Sequence, residues 1–285
     1  MLPDPIIRFS LFGSEFKVYM YGLCIAVGIL VCLLVLYLYT KKKNMPERVQ
    51  DFIFIVTIVA IAIGFLAAKL FEAVYEWIDT GKFDFAHSGI TAMGGFIGGG
   101  AAFILAYFVG GKFFFKGKEE GLHKKEFNKI LLCAPCGITI AHAFGRLGCL
   151  CAGCCHGAFI SHEAGHGGLY MRADGVWGYY VPTQLYESLF LFVLFGVLSY
   201  LYFHRSNITM QVYLIAYGVW RIIIEFFRTD SRGAVILGLY PSQWQSIIFI
   251  AGGVAMLLIY IFKKIPLQFP KEDTGETKAE NSEQQ

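Results

Sequence analysis

The residues best equipped for chemistry are crowded into one short stretch, His142-Ala-Phe-Gly145-Arg146-Leu-Gly148-Cys149-Leu-Cys151-Ala-Gly153-Cys154-Cys155-His156-Gly157. The apolar run before it, from Ile130, is long enough to enter a bilayer, and a guanidinium near the end of such a run is costly to hold there. His142, Arg146 and Cys149 recur at helical spacing and share one face. Tyr217, Arg221 and Glu225 are spaced by four and stack on one face of a second apolar run. Each charge placed centrally in a span costs roughly 2.5–3.5 kcal/mol on insertion scales, and less near the interface. Two arginines with one in-helix carboxylate point to an anionic ligand, because the planar guanidinium fork suits a pair of phosphate oxygens. The competing reading is a structural ion-pair network, Arg221 with Glu225 and Arg146 with Glu187. Arg228 and Arg232 read as interfacial anchors.

The cysteines leave more than one chemistry open. Cys149, Cys151, Cys154, Cys155 and His156 suit zinc, but structural zinc sites pair well-separated ligand sets, and the second set here would have to be His162 and His166. Disulfides fit an oxidising exterior, and small apolar residues beside a substrate are the plain alternative. His162-Glu163-Ala-Gly-His166 matches the H-E-x-x-H metalloprotease pattern, which works only on a helix. Gly165, Gly167 and Gly168 argue for a loop instead. Cys133-Ala-Pro-Cys136 sits at the end of an apolar run rather than in the βαβ context of a redox motif. No bound metal or cofactor is expected.

The elements that must position these groups are membrane helices. The chain of 285 residues is 56% hydrophobic, well above a soluble domain, so the fold class is all-α and polytopic. A net charge of +3 is too small to imply a nucleic-acid partner. Apolar runs of the roughly 20 residues a span needs fall at about 18–40, 52–74, 90–110, 130–150, 183–203, 209–227 and 242–262, seven in all. The first fifteen residues hold Pro3, Pro5, Arg8 and Glu15 without a compact apolar segment, so the first span is expected to act as its own insertion signal. Lysine and arginine concentrate in alternate loops, with Lys41, Lys42, Lys43, Arg48 and Lys112 to Lys129 on one side together with the C-terminal tail. That side is expected to be cytoplasmic, which puts the N-terminus outside. The seven-span domain covers 1–268, with an outer loop at 151–182 whose Trp177, Tyr179 and Tyr180 suit the headgroup level. The tail, 269–285, is polar and expected to be disordered. Lys69 and Glu72 read as snorkelling interface residues. The glycine run Gly94-Gly95-Phe96-Ile97-Gly98-Gly99-Gly100 fits close helix packing, or backbone N–H groups brought near a headgroup. Tyr19 and Tyr21 suit an aromatic belt.

In order and spacing, these pieces resemble the prolipoprotein diacylglyceryl transferase family of bacterial inner-membrane enzymes. The resemblance rests on Tyr21-Gly22, Ala68-Lys69-Leu70, Gly94-Gly95-Phe96-Ile97-Gly98 and Gly145-Arg146-Leu-Gly148. It continues through Pro182-Thr-Gln184-Leu-Tyr186-Glu187, the run from Tyr217 to Arg228, and Ser242-Gln243-Trp244-Gln245-Ser246. It implies transfer of the diacylglyceryl group of phosphatidylglycerol to a cysteine thiol in the lipobox of an exported lipoprotein precursor, with glycerol phosphate leaving. By that resemblance Arg146, Arg221 and Glu225 belong to the catalytic set; for the general base His142, one turn before Arg146, is the substitute candidate that completes it, with His156 second. Tyr21, Tyr217, Lys69, Gly94, Gly95, Gln184 and Glu187 contact substrate. The family's arginine motif usually carries two asparagines and a glutamate, which are absent here, where cysteines abound. Histidines that many members carry are replaced by Met93 and Val181. The alternatives of another class are a membrane metalloprotein, either a protease or a Cys/His metal or redox protein, and a non-enzymatic phospholipid-binding bundle.

Overall fold

A computed structural model describes residues 4–11, 14–173, 175–204, 207–229 and 238–263. The expected disordered tail at 269–285, and Arg232, lie outside the described residues. The chain opens with a hairpin, β1 (Ile7–Leu11) and β2 (Ser14–Val18). There follow α1 (Met20–Lys42), α2 (Glu47–Thr80), α3 (Ala92–Leu105), which runs through a π turn at Ala106–Gly110 into α4 (Gly111–Phe114), and α5 (Leu122–Ala152). Three short strands come next, β3 (Phe159–Ser161), β4 (Leu169–Ala173) and β5 (Val176–Tyr180). The chain then forms α6 (Thr183–Phe203), α7 (Thr209–Glu225) and α8 (Pro241–Lys263).

Six helical stretches are long and apolar enough to cross a membrane: α1, α2, α3 with its continuation to Phe114, α5, α6 and α8. The remaining expected span is α7, whose 17 residues reach about 26 Å at 1.5 Å per residue, just short of a hydrocarbon core of about 30 Å. The protein is an all-α multi-pass membrane protein. Many apolar side chains stay exposed on these helices, Leu30, Ile78, Leu105, Val193 and Phe262 among them, as expected where lipid replaces water.

Contacts divide the chain into two compact units, residues 33–130 and residues 1–32 with 131–285. In the first, α2 and α3 approach closely at glycines. A Cβ on Gly98 would lie 2.2 Å from Ala67 Cβ, and one on Gly94 2.6 Å from Phe71 Cβ. The packing reading of the glycine run therefore holds at these positions. Met45, Val49, Phe52, Ile53, Val56, Tyr107, Phe115 and Ile130 form the buried cluster of this unit. The Tyr107 hydroxyl donates to the His123 carbonyl at 2.6 Å, which satisfies its one polar atom.

The second unit is stitched by hydroxyls as well as packing. Ser188 Oγ of α6 donates to the Ala143 carbonyl of α5 at 3.0 Å, and Thr209 Oγ1 of α7 donates to the Leu132 carbonyl at 2.9 Å. Lipid offers no such partner, so these bonds fix helix neighbours. The Gly148 surface of α5 meets α1 at Tyr21 and Cys24. The connection between α5 and α6, expected as an outer loop at 151–182, carries an antiparallel sheet in the order β3-β5-β4, with Met171, Ala173 and Tyr180 packed against Leu150 and Leu169. Short strands separated by glycines gave no long alternating run for the sequence to display.

Candidate active site

Helical spacing brings His142, Arg146 and Cys149 onto one face of α5, and Tyr217, Arg221 and Glu225 onto one face of α7. The group joining the two faces comes from α6. Glu187 is 1% exposed. Its Oε2 lies 3.0 Å from Arg146 Nε, its Oε1 accepts from the Tyr217 hydroxyl at 3.2 Å, and His142 Nε2 is 3.9 Å away. The His142 ring also meets the Tyr217 ring edge to face, with centroids 5.2 Å apart. Arg221 Nη1 lies 3.1 Å from Glu225 Oε2. Both ion pairs of the structural alternative are thus present. The Arg146 and Arg221 side chains are 12% and 11% exposed. At that depth a broken pair leaves a charge that little water can reach.

Arg228, read from sequence as an interfacial anchor, is instead buried at 8% exposure. Its backbone forms an isolated bridge with Gly157, which draws it back onto the segment after α5. Its place three residues beyond Glu225, continuing the charged face of α7, was the signal for this position.

Below the arginines the chain turns sharply. The Gly153 and Cys154 N–H groups both donate to the Cys149 carbonyl, at 3.0 and 3.2 Å, and close α5. Gly153 has φ +76, and a Cβ there would fall 1.9 Å from the Arg172 carbonyl oxygen, so glycine is required. Cys155 adopts φ +59, unusual for a residue with a side chain. The start of α6 holds this turn. Gln184 Nε2 donates to the Cys154 carbonyl at 2.6 Å, and Thr183 Oγ1 donates to the Cys155 carbonyl at 2.8 Å. The result is that the Sγ atoms of Cys149, Cys154 and Cys155 all lie within 4.8 Å of one another. Hydrogen bonds from Cys149 and Cys154, then the guanidiniums of Arg146 and Arg228, draw the Cys155 thiol below the usual range, against the effect of burial. All eight cysteines are unbridged. Cys151 turns away to hydrogen-bond with Cys24. Tyr21 lies in electrostatic range of the three clustered cysteines and Arg146.

The other sequence candidates fall elsewhere. His156 is buried, with its Nδ1–H donating to the Gly157 carbonyl at 2.8 Å. The His162-to-His166 segment is an irregular stretch between β3 and β4, not a helix. There the His162 Nδ1–H donates to the Trp177 carbonyl at 3.1 Å, so the i, i+4 geometry of a zinc protease does not form. Lys69, Gly94 and Gly95 belong to the 33–130 unit. Lys69 Nζ donates to the Ala86 carbonyl at 2.9 Å and lies 5.4 Å from the Phe85 ring centre, while Gly94 and Gly95 face α2.

Comparison with known proteins bears on the same helices. Residues 7–259 match the family model described as prolipoprotein diacylglyceryl transferase. The chain is 32% identical over 282 residues to phosphatidylglycerol–prolipoprotein diacylglyceryl transferase 2 of Clostridium perfringens, covering 95% of this chain and 99% of the relative. It is 32% identical over 274 residues to the phosphatidylglycerol–prolipoprotein diacylglyceryl transferase of Clostridium tetani, covering 90% and 98%. The protein of the same name in Clostridioides difficile is 31% identical over 267 residues, covering 90% and 96%. Because that likeness runs from the first hairpin through α8 and takes in every helix of the charged cluster, the chain belongs to the prolipoprotein diacylglyceryl transferase family.

Proposed function

We propose that the protein is a transferase that moves the diacylglyceryl group of phosphatidylglycerol onto a cysteine thiol of a lipoprotein precursor, in the bacterial inner membrane. The observation that carries this reading is the burial of Arg146 and Arg221 beside Glu187, Tyr217 and Glu225. Guanidiniums held at that depth are pre-oriented donors for a phosphate, and they offset the charge that grows on it as the C–O bond breaks. Glu187 orients Arg146 and Glu225 orients Arg221. Tyr21 donates to the headgroup, Tyr217 spends its one proton on Glu187 and so holds that carboxylate against Arg146, and His142 is the candidate acceptor for the thiol proton. Gln184 acts by holding the cysteine turn. Lys69, Gly94 and Gly95 are kept as proposed substrate contacts on the family likeness alone. With the N-terminus outside, the arginine end of α5 faces the side where an exported precursor and its lipobox cysteine arrive.

The test supplies labelled phosphatidylglycerol and a lipobox peptide to the purified protein in lipid. Thioether product and free glycerol phosphate in equal amounts support the reading. Neither product from a folded protein refutes it and leaves a lipid-binding bundle.

A further inference from the structure

Three thiols meet at the end of α5 for reasons the arginine cluster does not explain. Cys149 projects from the last turn of α5, Cys154 follows a glycine turn, and Cys155 sits in a left-handed conformation that is strained for a non-glycine residue. Gln184 and Thr183 pin the carbonyls of Cys154 and Cys155 in this arrangement. The strain is therefore held in place from a separate helix and converges three sulfurs to within 4.8 Å. Zinc–sulfur bonds of ~2.3 Å at tetrahedral angles set sulfurs about 3.8 Å apart, so a small inward rotation of the side chains suffices. Three thiolates give a zinc(II) centre a net charge of −1. Arg146 and Arg228, both in electrostatic range of Cys155, offset it. Three protein ligands with a fourth position left over is the pattern of a reactive zinc centre rather than a closed structural one.

We infer that Cys149, Cys154 and Cys155 form a three-thiolate site for a zinc-type divalent ion, whose fourth position takes the thiol of the acceptor cysteine. The fourth-ligand clause rests on the transferase reading; the metal site does not. Coordination deprotonates the acceptor thiol outright, and the proton passes to His142, the base of the transferase reading. The thiolate sulfur then forms the C–S bond to the diacylglyceryl carbon. The C–O bond to phosphate breaks, and its electron pair stays on the phosphate oxygen. Glycerol phosphate departs as a dianion held by Arg146 and Arg221, so no second proton is required.

The experiment uses the full chain, purified reduced in detergent, and measures zinc content and cobalt(II) absorption. About one equivalent per chain is expected, bound in the wild type and in Cys151→Ser and lost in Cys154→Ser and in Cys155→Ser. A monodisperse elution profile for each variant establishes that it is folded. A lipobox peptide should raise the thiolate-to-cobalt absorption by about a third, from three to four sulfurs, whereas its Cys→Ser analogue should not. No metal on the reduced protein, binding that survives Cys154→Ser, or an unchanged spectrum with peptide overturns the inference. Diacylglyceryl transfer by protein free of metal overturns it too while leaving the transferase reading intact. A cobalt-loaded protein that takes the peptide yet transfers nothing supports the site and sinks the transferase reading.

Discussion

Replacing Glu187 with glutamine isolates the charge at the centre of the site. The amide keeps the size and an acceptor for the Tyr217 hydroxyl, now 3.2 Å away, but deletes the negative charge 3.0 Å from Arg146 Nε. With side-chain exposures of 12% for Arg146 and 2% for Glu187, water can replace little of what is lost. Removing one partner of a buried pair costs about 3–5 kcal/mol because the other charge stays behind. At the lower figure, and with a sensitivity of ~2–4 °C per kcal/mol, the melting temperature should fall by roughly 6–12 °C. The uncompensated guanidinium should then prefer an anion. Phosphatidylglycerol should stabilise Glu187→Gln more than wild type, regaining about 2.7 kcal/mol at a lipid concentration near 100 Kd, while phosphatidylcholine should not. Thermal melts followed by tryptophan fluorescence in mixed micelles measure both effects. A melting temperature equal to wild type, or equal stabilisation of both proteins by the two lipids, would refute the idea that Glu187 neutralises Arg146 in a site open to anionic lipid.

Further outcomes follow from the same geometry. Arg146→Ala and Arg221→Ala should each lower transfer from phosphatidylglycerol by on the order of 10²-fold or more, as loss of an oxyanion donor does; product formation near the wild-type rate in either variant rules out its phosphate role. Gly98→Ala places a methyl 2.2 Å from Ala67 Cβ and should destabilise by about 1–3 kcal/mol through overpacking. Gly22→Ala, with nothing within 4 Å, serves as its control in the same melt. Gln184→Ala leaves the Cys154 carbonyl without its 2.6 Å donor and should cost about 1–3 kcal/mol. It should also speed alkylation of Cys154 and Cys155 by iodoacetamide, read by mass spectrometry of the 150–160 peptide, and an unchanged labelling rate would show that Gln184 does not restrain the turn.

Much of the cluster was legible because its signals are local. A period near four puts Tyr217, Arg221 and Glu225 on one face of α7 whatever surrounds them, and the same holds for His142, Arg146 and Cys149 on α5. Partnership was legible only in part. Charge balance named Glu187 and Glu225 as the arginines' partners, but nothing in the string showed that Glu187 also receives the Tyr217 hydroxyl, 30 residues further along the chain. Arg228 was misread because an arginine past the end of an apolar run is ordinarily an anchor at the surface. Its burial depends on the backbone bridge to Gly157, 71 positions earlier.

The amino-acid order by itself settled that this is a helical membrane protein, which faces its helices share, and where charge must be sheltered. Those follow from hydropathy and from a repeat of 3.6 residues, both properties of neighbours along the chain. The folded structure alone decided that three of eight cysteines converge while Cys151 turns to Cys24, that Thr183 and Gln184 pin the turn, and that glycines bring α2 and α3 into contact. Each of these depends on which helix lies beside which and on one backbone angle at Cys155, quantities set by packing between segments far apart in sequence.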